Sequence, residues 1–79
     1  MDKITPNQSL DCVGLYCPVP IIKTTQKIKE MKTGEVLEVE ADDEGILSDM
    51  PAWCKTTGNI YEGGEKTADG IVKVYVRKV

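Results

Sequence analysis

The sequence predicts a two-layer α/β sandwich, in which a four-stranded mixed sheet carries two helices on one face. Two stretches of the chain show apolar residues at helical spacing, and others alternate apolar with polar residues, as strands with one solvated face do. The predicted order is β-α-β-α-β-β, without internal repeat or linker. Strand–helix–strand units require right-handed crossovers between parallel strands, and a terminal hairpin adds an antiparallel pair. We expect one domain over 1–79, with residues 1–7 frayed.

The first strand and the first helix are predicted within residues 8–32. Residues 8–13 form a strand whose Leu10 and Cys12 point toward the core. Residues 18–32 form a helix, and Gly34 is a typical helix stop. The apolar face of this helix consists of residues at helical spacing: Ile21, Ile22, Thr25, Ile28 and Met31.

The second strand is predicted over residues 35–41, where apolar residues alternate with Glu38 and Glu40. The second helix has two alternative starts. It runs from about Glu44 to Thr57 with a kink at Pro51, or it begins at Ser48 or Asp49 with Pro51 in its first turn. The acidic group Asp42, Asp43, Glu44 and Asp49 is typical of a helix N-terminus, or alternatively helps a basic partner to dock.

The last two strands are predicted over residues 59–66 and 71–78. Asp69-Gly70 lies between them, and this dipeptide is a strong hairpin signal. Gly63-Gly64 indicates a bulge or a weakly paired edge in the first of the two strands.

Composition excludes several classes of function. The chain has 79 residues, a formal charge of −3, three cysteines and no histidine. Without histidine there is no Cys–His dyad, and no two cysteines have the C-x-x-C spacing of a dithiol or a zinc knuckle. We therefore expect no metal site. No basic face for nucleic acid is indicated, and no apolar run is long enough to span a bilayer. We expect a cytoplasmic protein that neither binds nucleic acid directly nor inserts into a membrane.

The candidate nucleophile is Cys17, which stands directly before Pro18, Val19 and Pro20 at the predicted start of the first helix. We interpret Cys17 as the N-cap, where the helix dipole favours a thiolate over a thiol. The prolines stiffen this junction and have no N–H, so Val19 is the one first-turn residue that can donate a backbone hydrogen bond toward the sulfur. The alternative is a buried apolar cysteine.

Other residues near this motif have two interpretations each. Asp11 either supports the turn through Gly14 or is a solvated strand end. Lys23 either assists an anionic sulfur or lies on the solvated helix face. Lys27 has the same two interpretations. Cys12 is predicted to be an inert core residue, and Cys54 is either core or a second functional thiol.

The motif Asp11-x-x-Gly14-x-x-Cys17-Pro18-x-Pro20 resembles that of the TusA/SirA family of sulfur-carrier proteins. The likeness extends over nearly the whole chain, through residues 31–34, 41–43, 49–54 and 57–59. The resemblance implies the same sandwich fold. It also implies that Cys17 carries sulfur as a covalent persulfide, without a metal or bound cofactor. Implied donors are cysteine desulfurase, rhodanese-type and DsrE-type proteins, and acceptors lead to tRNA thiolation, molybdenum-cofactor and sulfur-energy pathways.

The branch of the family stays open, as does the question whether the chain is an enzyme. Tyr16 stands where the best-known tRNA-modifying members have arginine, so tRNA thiolation is not specifically indicated. The YeeD-type branch would imply thiosulfate cleavage at Cys17 and docking to a thiosulfate transporter. The remaining alternative is a non-catalytic regulatory or interaction module that binds through its sheet face or its acidic group.

Overall fold

The structure is a computed structural model that describes residues 6–16 and 19–79. The predicted element order is confirmed. The elements are β1 (Gln8–Asp11), α1 (Val19–Glu30), β2 (Val36–Ala41), α2 (Ile46–Thr57), β3 (Ile60–Lys66) and β4 (Val72–Arg77).

The four strands form one mixed sheet in the order β1-β2-β4-β3. β1 pairs parallel with β2, while β4 is antiparallel to both of its neighbours, β2 and β3. The predicted alternation in β2 and β4 is confirmed, because their apolar side chains are fully buried on one face. The cross-strand pairs on this face are Leu37 with Val76, Val39 with Val74, and Ala41 with Val72.

Both helices cover this apolar face, α1 against β2 and α2 against β3 and β4. The core is completed by buried side chains of the two helices and of the residue directly after α1: Ile28, Met31, Ile46, Met50 and Cys54. Trp53 packs against the core, and its indole Nε1–H donates to Thr25 Oγ1 at 3.1 Å, which joins the two helices. Fully burying one aliphatic side chain of this core, such as that of Leu37, stabilises the fold by about 1.5–3 kcal/mol. Burial of apolar side chains between the helices and the sheet therefore contributes substantially to the stability of the fold.

The start of α2 is settled by backbone hydrogen bonds. Asp49 N–H donates to the carbonyl of Gly45 at 2.9 Å, so the helix is regular from Ile46 and Pro51 lies inside it. The predicted alternative start at Ser48 or Asp49 is therefore wrong. Asp43 favours the earlier start, because its Oδ1 accepts the Gly45 N–H at 2.9 Å and tightens the turn before the helix.

Other boundaries differ from the prediction by one or two residues. β1 ends at Asp11 rather than at residue 13, and α1 ends at Glu30 rather than at residue 32. The prediction that Gly34 stops α1 is wrong, because the helix has already ended at Glu30. Gly34 lies in the turn before β2 with a φ of 90°, a left-handed conformation that favours glycine, and its N–H donates to the Lys78 carbonyl at 2.8 Å. The predicted hairpin at Asp69-Gly70 is confirmed, with Thr67 N–H donating to the Ile71 carbonyl at 2.7 Å.

The predicted bulge at Gly63-Gly64 is confirmed by a register shift between Tyr61 and Gly63. Gly64 is required for a second reason. A Cβ at this position would overlap the Tyr61 hydroxyl and lie only 3.0 Å from Leu47 Cδ2. The glycine thus leaves room for the Tyr61 hydroxyl and for Leu47 of α2.

Candidate functional site

The candidate motif, residues 11–20, runs from the last residue of β1 to the first turn of α1. Cys17 and Pro18 lie outside the described residues, so the N-cap prediction for Cys17 stays a prediction. The described residues on either side, Tyr16 and Val19, are joined by a backbone hydrogen bond from the Val19 N–H to the Tyr16 carbonyl at 2.8 Å. This corrects the expectation that the Val19 N–H points toward the sulfur, because that donor is already used by a carbonyl.

The loop before the motif leaves the sheet through a tight turn. Cys12 N–H donates to the Glu40 carbonyl at 2.7 Å, which is the last backbone bond between this segment and β2. Leu15 N–H then donates back to the Cys12 carbonyl at 3.1 Å. The chain therefore reverses direction directly after the sheet.

Two carboxylates bind the amides of this turn. Asp11 Oδ1 accepts the Val13 N–H at 3.0 Å, so the prediction that Asp11 supports the turn is confirmed. Asp42 Oδ1 accepts the Gly14 N–H at 3.2 Å. Gly14 has a φ of 86°, a backbone conformation that residues other than glycine rarely adopt.

The contact of Asp42 corrects the interpretation of the acidic group. Asp43 lies at the start of α2, as predicted, but Asp42 binds the β1–α1 loop instead. Glu44 pairs with Lys66 at 3.0 Å on the surface. A sequence signal for the Asp42 contact existed, because Asp42 directly follows a strand that is parallel to β1, and the carboxyl ends of parallel neighbours meet at one edge.

The first turn of α1 is fixed against the core. Pro20 is buried, and its carbonyl accepts the hydroxyl of the fully buried Thr24 at 2.8 Å. Because Thr24 bonds within its own helix, its hydroxyl adds no buried polar cost. The start of α1 is therefore held in place by the buried residues Pro20 and Thr24.

Exposed apolar side chains occur both before and after Cys17 in the sequence. Four of the six large apolar side chains that are exposed in the described parts lie within residues 13–22. Their exposed fractions are 44% for Val13, 76% for Tyr16, 37% for Val19 and 50% for Ile22. We call these four residues the apolar patch. Concentrations of exposed apolar surface mark interaction sites more often than isolated exposed residues do.

Cys12 is confirmed as a core residue with no exposed surface. Burial raises the pKa of its thiol, and the Asp11 carboxylate adds to the rise, while the Lys23 ammonium acts in the opposite direction. Lys23 is exposed on α1, and its positive charge is close enough to act on the Cys12 thiol. A thiol kept protonated in this way is a poor nucleophile.

Cys54 is buried in the last part of α2, with 2% of its surface exposed. Burial raises the pKa of its thiol to about 11. The prediction that Cys54 belongs to the core is confirmed, and a thiol of this acidity is almost entirely un-ionised at neutral pH.

A small, shallow cleft lies between the first turns of α1 and α2. It is lined by Pro20, Ile21, Asp43, Ile46 and Asp49. Its enclosed space is only about that of one water molecule, so the cleft is too small to hold a cofactor. Within residues 6–16 and 19–79, no group of three or more potential ligands is placed to hold a metal ion. None of the helices in those ranges has the length and apolar character to cross a membrane.

The family model described as sulfurtransferase TusA matches residues 8–78. YrkF of Bacillus subtilis is 46% identical over 69 residues, which are 87% of this chain, and the chain spans only 37% of the length of YrkF. The sulfur carrier protein TusA of Allochromatium vinosum is 43% identical over 53 residues, covering 67% of this chain and 70% of that protein.

A solved structure has the same fold. The crystal structure of a SirA-like protein from Desulfitobacterium hafniense superposes with a TM-score of 0.79 at 21% identity and covers 89% of this chain and 95% of that chain. At this identity the match supports the fold alone. The family match over residues 8–78 carries the assignment: this chain belongs to the sulfurtransferase TusA family.

Proposed function

We propose that this protein is a sulfur carrier that accepts sulfane sulfur as a persulfide on Cys17 and passes it to an acceptor protein. Sulfur carriage is the function of the TusA family, to which the chain belongs. The observation that supports Cys17 is the state of the other two thiols. Cys12 and Cys54 are buried, and burial raises the pKa of both. A carrier has to present a thiolate to its partners, so Cys17 is the remaining candidate.

The transfer needs no metal and no bound cofactor. The Cys17 thiolate attacks the terminal sulfur of a donor persulfide, so that the donor's S–S bond breaks, an S–S bond forms on Cys17, and the donor leaves as a thiolate. A nucleophile of the acceptor then attacks the terminal sulfur and releases the Cys17 thiolate. Sulfane sulfur and its proton move together, and no external oxidant or reductant is consumed.

The partners are proteins, a sulfur donor and a sulfur acceptor. The apolar patch supports this proposal, because its four exposed side chains lie within residues 13–22, before and after Cys17 in the sequence, and a docked protein would cover such surface. We expect the donor to be a cysteine desulfurase, a rhodanese-type protein or a DsrE-type protein. We also expect the exchange to occur in the cytoplasm, without direct contact between this chain and nucleic acid.

Intact mass measurement tests the proposal. The protein is incubated with cysteine desulfurase and L-cysteine, and in parallel with inorganic polysulfide, as wild type, Cys17→Ser and Cys54→Ala. We expect wild type and Cys54→Ala to gain the mass of one sulfur atom and Cys17→Ser to gain none. Equal gain in Cys17→Ser, or no gain in wild type from either source, would contradict the proposal.

Thiosulfate is a third sulfur source that separates the two family branches. A carrier of the general type is loaded by the protein donor without turning over thiosulfate. In the presence of a small thiol that removes the sulfane sulfur from Cys17, continuous sulfite release from thiosulfate that depends on Cys17 would instead support the thiosulfate-handling branch and docking to a thiosulfate transporter.

A further inference from the structure

Asp42 contacts the β1–α1 loop although it belongs to a different part of the chain. Its Oδ1 accepts the Gly14 N–H at 3.2 Å across 28 positions of sequence. The segment is also bonded to β2 through the Cys12 N–H and the Glu40 carbonyl, but that bond lies at the base of the turn. The Asp42 bond reaches further along, to the residue three positions before Cys17.

The contact is independent of the core and of α2. Asp42 is exposed, so its replacement leaves no cavity. The residue directly before α2 is Gly45, and its N–H donates to Asp43 Oδ1 at 2.9 Å, not to Asp42. Loss of Asp42 therefore removes one fixed point of the loop and leaves the sheet and both helices with their own contacts.

Gly14 makes this single contact important for the position of the loop. Its φ of 86° is accessible to glycine without strain, and a Cβ there would meet no atom within 4 Å. The hydrogen bonds of the neighbouring Val13 and Leu15 amides stay within the turn itself. By contrast, the Gly14 amide ties the turn to another segment of the chain, and glycine has the widest choice of backbone conformations once such a bond is lost. A bound Gly14 amide restricts Leu15 and Tyr16, which lead directly into the motif.

We propose that Asp42 is a positioning residue for sulfur transfer, which holds the β1–α1 loop through the Gly14 amide so that Cys17 meets a partner protein at a fixed place. This inference rests on the proposed function, since it concerns the same sulfur. A small reagent can approach a mobile sulfur from many directions, whereas a partner protein requires one geometry. Loss of the contact therefore slows transfer between proteins more than it slows reaction with a small molecule.

Persulfide exchange between two copies of this chain tests the inference without a foreign partner. Unlabelled protein loaded on Cys17 by polysulfide is mixed with ¹⁵N-labelled unloaded protein, and sulfur appearing on the heavy copy is followed by intact mass. The acceptor thiolate attacks the terminal sulfur, the donor's S–S bond breaks, and the donor leaves as a thiolate, so the reaction is balanced. Iodoacetamide alkylation of the unloaded protein is the reference reaction with a small molecule.

Three variants separate hydrogen bonding from charge. Asp42→Ala removes the acceptor, Asp42→Asn keeps an oxygen acceptor without the charge, and Glu44→Ala removes one negative charge nearby. We expect Asp42→Ala to slow exchange by about two- to tenfold, the range that corresponds to one net hydrogen bond. Asp42→Asn and Glu44→Ala should stay within about twofold of wild type, and alkylation should change less than exchange in every variant. In ¹H–¹⁵N spectra, the Gly14 amide should move in Asp42→Ala and stay in place in Glu44→Ala.

The possible failures are distinguishable. If polysulfide does not load Cys17 in wild type, the proposed function fails. If wild type is loaded but Asp42→Ala exchanges as fast as Glu44→Ala, the positioning role is wrong. It is equally wrong if Asp42→Asn is as slow as Asp42→Ala, because the effect would then follow charge rather than the hydrogen bond.

Discussion

The Val19 N–H donates to the carbonyl of Tyr16 at 2.8 Å, so a backbone hydrogen bond joins the two residues on either side of Cys17-Pro18. Since Pro18 and Pro20 have no N–H, this bond uses the one amide that we expected near the sulfur. Direct amide donation from Val19 is therefore not available to stabilise a thiolate. The helix dipole is a separate contribution, and its effect on a charged group near an exposed helix N-terminus is about 0.3–1 kcal/mol.

Native alkylation should distinguish the three thiols. At pH 8 a Cys54 thiol with a pKa of about 11 is only about 0.1% thiolate. We expect iodoacetamide to modify one thiol per chain rapidly, at Cys17, with Cys54 at least about a hundredfold slower. Peptide mapping after timed quenching measures this, and the denatured chain, in which all three thiols react, is the control. Fast native modification of Cys54 would contradict the assignment of Cys54 to the core.

Alkaline pH should destabilise the fold through Cys54. Its pKa is raised from the ordinary value of 9.0 to about 11 in the folded protein, so the unfolded state loses its proton first. The free energy of unfolding is therefore unaffected by ionisation of Cys54 below pH 9. It decreases as the pH rises from 9 to about 11, by at most about 3 kcal/mol. Urea unfolding at pH 8, 9, 10 and 11 measures the free energy of unfolding across this range.

Cys54→Ala is the matched variant for that experiment. It should be less stable at pH 8, because it leaves a small cavity. Its free energy of unfolding should nevertheless fall less steeply between pH 9 and 11 than that of wild type. The raised pKa of Tyr75, about 12, leaves some pH dependence in both proteins. Identical slopes for wild type and Cys54→Ala would show that the Cys54 thiol is not buried as described.

Gly64→Ala should destabilise the protein although residue 64 lies on the surface. The new Cβ overlaps the Tyr61 hydroxyl and approaches Leu47 Cδ2 to 3.0 Å, and overpacking of this kind costs about 1–3 kcal/mol. Tyr61→Phe removes the hydroxyl that causes the closest contact. We therefore expect Gly64→Ala to cost less in the Tyr61→Phe background than in wild type. A double-mutant cycle of urea unfolding measures the difference, and a coupling free energy of zero would refute the contact.

The sequence predicted the elements well because their signals are local. Leu37, Val39 and Ala41 alternate with glutamates, and this pattern depends only on which face of β2 is buried. The role of Asp42 was missed because its partner, Gly14, lies 28 positions away, and a run of acidic residues before a helix has a simpler local explanation.

The start of α2 shows a different limit of local reasoning. Pro51 favours a later start on its own, because proline is best tolerated in a first turn. The structure keeps it inside the helix, where the buried side chains of Ile46 and Met50 pack against the sheet. Tertiary packing outweighs the local cost in this case, and only the folded arrangement makes that gain visible.

The most direct test of the central claim follows one labelled sulfur atom through Cys17. Protein loaded from ³⁴S-labelled polysulfide is alkylated, digested and mapped by tandem mass spectrometry, before and after incubation with a thiol acceptor. We predict that the label lies on the Cys17 peptide as a persulfide, and that the acceptor removes it and restores the free thiol. A label on Cys12 or Cys54, or a label on Cys17 that no acceptor removes, would contradict the assignment of this cysteine as a sulfur carrier.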